Sequence, residues 1–193
     1  MRSRSSSFVL ILLAAVLSCD NVGAAQSKSD PPYFESGAMG VGLLDSKTGA
    51  SFVGANGDGT TADDGLVHHF YENAAGTEAL DLIRHPGTEQ NAFAQIRIMQ
   101  REALPLGAPP VSVKGFISSK GVRLGIGTSD LQKLLGKPNS VKSLGSGRTA
   151  YVYRCEDARV CPSLTHYNLP TYSATATFTS GHLTQYTFGF DYP

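Results

Sequence analysis

Several stretches carry residue types that could do chemistry, and their spacing limits what that chemistry is. In "HHFYE", His68 and His69 precede Phe70, Tyr71 and Glu72. On an extended strand successive side chains point to opposite faces, so His68, Phe70 and Glu72 share one face while His69 and Tyr71 share the other. Adjacent histidines therefore cannot hold one metal ion together. A metal-dependent enzyme would have to join His68 and Glu72 to His85 or His182. The plainer expectation is partly exposed strand histidines. "NGDGTTADDG", Asn56 to Gly65, has the composition of a calcium loop. An EF-hand needs glycine at its sixth position and glutamate at its twelfth, where Thr61 and Val67 stand, so a flexible acidic turn is expected instead.

"GIGTSD", Gly125 to Asp130, lacks the third glycine of a dinucleotide fingerprint and is read as the start of a helix. "SLGSGR", Ser143 to Arg148, is not a G-x-S-x-G nucleophile elbow and is expected to be a flexible loop between helix and strand. Carboxylates are scattered singly, with no pair whose environments would split their pKa values. No catalytic residue, metal site or cofactor is assigned, and the chain is read as a non-enzyme.

The amino terminus gives a location. Arg2 and Arg4 precede "FVLILLAAVL", Phe8 to Leu17, an apolar run too short to span a bilayer and typical of an export signal. "VLSC", Val16 to Cys19, resembles a bacterial lipobox, which makes residues 1–18 the signal and Cys19 the lipidated amino terminus. An ordinary signal-peptidase cut after Ala24 or Ala25 is the alternative. Either way the chain is expected to be exported, as a periplasmic or membrane-anchored lipoprotein or as a secreted protein. Residues 19–32 then form a tether. Cys155 and Cys161, in "CEDARVC", remain as an even pair and should bridge in an oxidising compartment. Lysine plus arginine equals aspartate plus glutamate at 16 each, so no basic field exists to collect nucleic acid, and membrane contact is expected through the lipid anchor alone.

The elements that must position these residues lean toward sheet. "LPLGAPPVSV" divides the chain into a β-rich half, residues 33–103, a linker at 104–113, and a second half at 114–193. In the second half Ser129 is expected to cap a short helix with Gln132 reaching back. Leu131, Leu134 and Leu135 would form its apolar face, Gly136 its end, and Pro138 a block to resumption. "AYVYRC", "THYNL" and "YSATATFTSGHLTQYTFGFDY" read as strands, the last as a hairpin about Gly181. Keeping Tyr172, Ala174, Ala176 and Phe178 on the same side as Tyr186, Phe188 and Phe190 requires an odd-numbered loop, Ser180-Gly181-His182, with Ala176 opposite Tyr186. "LVHHFYEN", "EALDLIRH" and "AFAQIRIMQ" are strands of the first half. Its glycine-rich opening holds no convincing helix. The expected class is α+β, a short helix on an antiparallel sheet, with a degenerate internal duplication.

"SSKGVRLGIGTSDLQKLLGKP" followed by "AYVYR" resembles the SmpA/OmlA group of small outer-membrane lipoproteins and, more broadly, domains like the beta-lactamase inhibitory protein. Gly121, Val122, Leu124, Gly125, Leu131, Leu135, Gly136, Pro138, Tyr151 and Tyr153 match that group's pattern of turn, short helix, leucine-glycine-x-proline and strands. The resemblance covers about 116–192 and implies a protein-interaction module whose partner is another envelope or secreted protein. A periplasmic inhibitor or immunity protein against an envelope-targeting enzyme is the alternative. Tyr151, Tyr153 and Tyr167 are the expected docking set, with core placement as the competing reading.

Overall fold

A computed structural model describes residues 29–58, 60–63, 65–101 and 108–191, with the backbone alone over 61–63. The signal, Cys19 and most of the tether lie outside the described residues. No described helix is long and apolar enough to cross a membrane.

The elements are β1 (Gly37–Ala38), β2 (Val41–Gly42), α1 (Ser46–Asn56), β3 (Thr60–Asp63), β4 (Leu66–Asn73), β5 (Glu78–Arg84), β6 (Gln95–Gln100), β7 (Pro110–Val111), α2 (Thr128–Leu135), β8 (Ser140–Gly145), β9 (Arg148–Cys155), α3 (Pro162–Tyr167), β10 (Thr171–Thr179) and β11 (His182–Asp191). Here the class is α+β. Each half contributes a helix followed by a four-stranded antiparallel meander, β3 to β6 and β8 to β11. The meanders join edge to edge through β6 and β11 into one sheet of order β3-β4-β5-β6-β11-β10-β9-β8. The expected linker contributes β7, which pairs parallel with β4.

Register explains the core. One rung runs Tyr71, Leu80, Ile98, Tyr186, Ala176, Tyr151 across six strands. Its side chains share a face because directly paired residues project together. The helices all cover this face. On α1, Phe52 packs edge-on against Tyr71 with ring centroids 5.0 Å apart. On α2, Leu131 and Leu135 are fully buried, and Tyr153 donates its hydroxyl to the Gly136 carbonyl at 3.2 Å. On α3, Tyr167 meets Phe190 at 5.0 Å.

Several expectations are corrected. The opening of the first half does form a helix: Asp45 caps α1 by accepting from the backbone N–H groups of Lys47 and Thr48 at 3.0 and 3.2 Å, which offsets the low helix propensity of Gly49 and Gly54. In the second half the cap is Gly127, not Ser129, and no side chain caps α2. The start is set instead by backbone pairing to β11, Gly125 N to Leu183 O at 2.8 Å and Leu183 N to Ile126 O at 2.9 Å. Leu134 faces outward at 37% exposure, so two leucines rather than three hold the helix.

"THYNL" is not a strand. Pro162 occupies the first turn of α3, where its missing N–H costs nothing. Asp30, far away in sequence, takes the Ser163 N–H and hydroxyl at 3.1 and 2.6 Å, and Asn168 closes the helix at φ 53°. "SLGSGR" is not a loop but supplies the second half of β8 and the turn into β9. The hairpin at Gly181 has a two-residue loop, since Thr179 pairs with His182. Ser180 at φ 51° and Gly181 at φ 83° give both central residues the positive φ that such a turn needs. The odd residue sits in the strand: the register shifts between Thr177 and Phe178, so Ala176 still faces Tyr186. Parity demanded one extra residue, and a β-bulge provides it. Cys155 and Cys161 are disulfide-bonded, closing the loop that leads into α3.

Candidate functional site

The face of the sheet opposite the helices is the first candidate surface. Its rung runs Phe70, Asp81, Arg97, Thr187, Thr175, Val152, Ser140. Seven strands at the usual spacing make it roughly 29 Å wide. The three described helices all pack on the other side, so none covers it. Phe70, Arg97, Thr187, Thr175 and Val152 are half-buried here. The β10 side chains on this face are Thr171, Ser173, Thr175, Thr177 and Thr179, because β10 alternates them with its core residues.

A charged knot lies at one end. His68 Nδ1 is 3.0 Å from both carboxylate oxygens of the buried Asp81, and Arg97 Nη1 is 3.6 Å from the same group. An imidazole nitrogen and a guanidinium facing one buried carboxylate give it the partners that a buried charge needs. His68 also stacks on Phe70, rings 5.4 Å apart and nearly parallel. His69, on the other face, touches Phe93 and Asp58. Burial pushes its imidazole below the ordinary histidine range, while Asp58 pulls it up. Both histidines are buried, which corrects the expectation of partly exposed ones. Among the described residues no three of His, Cys, Asp and Glu gather as a metal-ligand set. The acidic stretch at 56–65 contributes β3, and Asp58 contacts the Thr60 hydroxyl.

The second candidate is a groove of about 600 Å3 in the layer that covers the core. The β1–β2 turn, the start of α1, residues 117–119 and Tyr167 line it. Its wall is fixed from behind by Glu35, which is fully buried. That carboxylate accepts hydrogen bonds from the Ser118 and Ser119 hydroxyls at 2.7 Å each, the Lys120 N–H at 2.8 Å and the Tyr186 hydroxyl at 3.2 Å. Burial pushes the Glu35 carboxyl above the ordinary glutamate range, and the donated hydrogen bonds work against that. Glu35 thereby ties the first half to the opening turn of the second.

The three tyrosines of the expected docking set are not brought together. Tyr153 is fully buried, burial pushes its hydroxyl up to about 12, and it is core. Tyr151 shares that covered face, half-buried with its ring 5.2 Å from Phe178. Tyr167 lies on α3 rather than a strand and borders the groove. The residues that sequence reasoning missed are Glu35 and Asp81. Asp81 had a signal: an acid inside "EALDLIR", on the face opposite Leu80 and Leu82. Glu35 had none, because its partners lie more than 80 positions away.

No family model matches the chain, and no curated protein matches it. Among solved structures it is similar to a DUF4309 family protein, YjgB, from Bacillus subtilis subsp. subtilis strain 168, with 15% identity, a TM-score of 0.42, and coverage of 79% of this chain and 84% of that one. The resemblance to SmpA/OmlA modules and the beta-lactamase inhibitory protein therefore rests on the residues that carry it.

Proposed function

We propose that this chain is an exported binding module, lipid-anchored through Cys19 or secreted, that captures another envelope or secreted protein on the uncovered face of its sheet. The observation that carries it is the rung from Phe70 to Ser140, shared by both halves and left free by all three described helices. A rigid, wide surface of threonine, valine, phenylalanine and arginine side chains can offer a partner both area and hydrogen bonds without first being ordered. The docking residues on this reading are Phe70, Arg97, Val152, Thr175 and Thr187. The partner is a protein; no chemistry on the chain is involved, and an inhibitor of an envelope-targeting enzyme is one form such a module takes.

A photocrosslinking residue placed at Thr175 or Val152 in cells should give one discrete adduct, identified by mass spectrometry. The same residue at Ser119, on the groove side, should not give that adduct. Thr175→Arg should remove the adduct at Val152 while leaving the melting temperature near wild type, since surface changes usually cost within about 0.5 kcal/mol. Adducts from Ser119 alone would overturn the assignment of the face.

A further inference from the structure

The groove carries an inference that is independent of docking on the uncovered face. Its volume of about 600 Å3 falls within the range of ligand sites, roughly 300 to 1,000 Å3. Its lining includes apolar groups: Met39, the Ile117 side chain at 42% exposure, and the Tyr167 ring. It also includes one carboxylate, Asp45. The Asp45 carboxylate, which accepts the Lys47 and Thr48 amides, opens onto solvent there. Asp45 and Asp30 both lie close enough to Tyr167 to raise its hydroxyl further, after burial. Lys47 is the cation beside Asp45.

The backbone around this space is held in conformations side chains avoid. Met39 at φ 52° and Leu44 at φ 56° are left-handed without being glycine, a strain that persists only where the surroundings over-determine it. Here they do: Met39 donates its N–H to the Ile117 carbonyl at 3.2 Å and accepts the Ile117 N–H on its sulfur at 3.4 Å, while Leu44 N donates to Phe93 O at 2.9 Å. Gly37 beside them admits no side chain, since a Cβ would sit 2.0 Å from the Val41 carbonyl oxygen. With Glu35 fastening Ser118 and Ser119, the walls are set before any ligand arrives, which removes an ordering cost from binding.

The geometry points to a site for an organic cation: an ammonium or guanidinium group facing Asp45, on an apolar body that lies against Met39, Ile117 and Tyr167. A lysine- or arginine-bearing peptide segment and a free alkylamine share this chemistry. Calorimetric titration distinguishes them with two cations, acetyl-Leu-Lys-Leu-Lys-amide and octylamine, and two anions, acetyl-Leu-Glu-Leu-Glu-amide and octanoate. Both cations should bind saturably and compete with each other, and the anions should not bind. Tighter binding of the peptide assigns a peptide ligand; tighter binding of octylamine assigns a small amine. Asp45→Asn, which keeps a good helix cap, should weaken the cations roughly two- to fivefold, as for an exposed ion pair. Tyr167→Ala should weaken them roughly tenfold if that ring anchors the body, and Asp45→Asn carries the test alone if Tyr167→Ala does not fold. Equal binding of anions and cations, no saturable binding of either cation, or an affinity indifferent to Asp45→Asn would overturn the proposal.

Discussion

In the first half, α1 is fastened by a side-chain cap at Asp45 and by the close approach of Gly49 to a neighbouring loop; in the second, α2 has no side-chain cap and is fastened by Leu131 and Leu135. Both helices end on a glycine of positive φ, Gly57 at 87° and Gly136 at 79°, whose N–H returns to a carbonyl four residues back. Equivalent places in the topology are thus filled by different local means. The shorter helix, too short to stand alone in water, depends on packing. The longer one brings few apolar side chains and depends on backbone contact and capping. A helix laid on a sheet needs only enough contact to fix it, and the two sequences supply that contact in different currencies of interaction.

The largest expected effect is on α2. Leu135→Ala should lower unfolding stability by roughly 2 to 5 kcal/mol through lost burial and the cavity left behind. Denaturant titration that found well under 1 kcal/mol would show that backbone pairing at Gly125 and Ile126, not the leucines, holds the helix.

Next in size is Gly49→Ala on α1. Its new Cβ would lie 2.0 Å from the Asn91 carbonyl oxygen and 3.0 Å from the Phe93 ring, so the helix must shift. Overpacking of this kind costs roughly 1 to 3 kcal/mol, and the same titration measures it. A stabilised variant, as the better helix propensity of alanine alone would give, breaks the claim that α1 is held by close approach.

A smaller effect, read as pH dependence, tests the joint between the halves. Burial, the larger influence, raises the Glu35 carboxyl above its ordinary range. A carboxyl raised in the folded state is protonated there more readily than in the unfolded chain. Its contribution to stability is therefore full below the unfolded value and fades as pH rises through the folded one. The stability of wild type relative to Glu35→Gln should improve as pH falls from about 7 toward about 4. A difference that does not change with pH, or that worsens in acid, means the donated hydrogen bonds outweigh burial.

The smallest effect belongs to the α1 cap. Asp45→Ala should lower the melting temperature, whereas Asp45→Asn should nearly restore it, because both Asp and Asn accept the Lys47 and Thr48 amides. The backbone N–H of Thr48 leads the influences that hold the Asp45 carboxyl below the ordinary aspartate range. That part of the cap's contribution is present above the unfolded value and is lost as pH falls through the folded one. Equal losses for both variants would mean that the charge of Asp45 rather than its acceptor oxygen fastens α1, and no loss in either would mean that α1 stands on Gly49 contact alone.

Much of this fold was legible where one face is buried and the pattern repeats. The strands read at 66–73, 78–85 and 92–100, which the structure sets at 66–73, 78–84 and 95–100, and the pairing of Ala176 with Tyr186 follow from alternation, since a one-residue slip would turn every aromatic to solvent. Other parts were not legible, each for its own reason. Strand β8 is exposed along its whole length, so no hydrophobic period marks it. Helix α3 mimics a strand through Tyr167 and Leu169 two apart, while the carboxylate that takes the Ser163 N–H in its first turn, Asp30, is more than 130 residues away. Tyr151 and Tyr153 were placed correctly on one strand face, but which face the helices cover depends on how the sheet is dressed from afar.

The sequence by itself determined the α+β class, six of the eleven described strands, the disulfide partners and the glycine end of α2, because alternation, parity and positive φ act within a few residues. The tertiary structure alone decided the rest. It set the two meanders edge to edge through β6 and β11. It seated Glu35 on Ser118, Ser119 and Tyr186, and it left the rung from Phe70 to Ser140 uncovered by the described helices. Those outcomes depend on contacts between residues tens to over a hundred positions apart, and local physical chemistry leaves no trace of such contacts at either end.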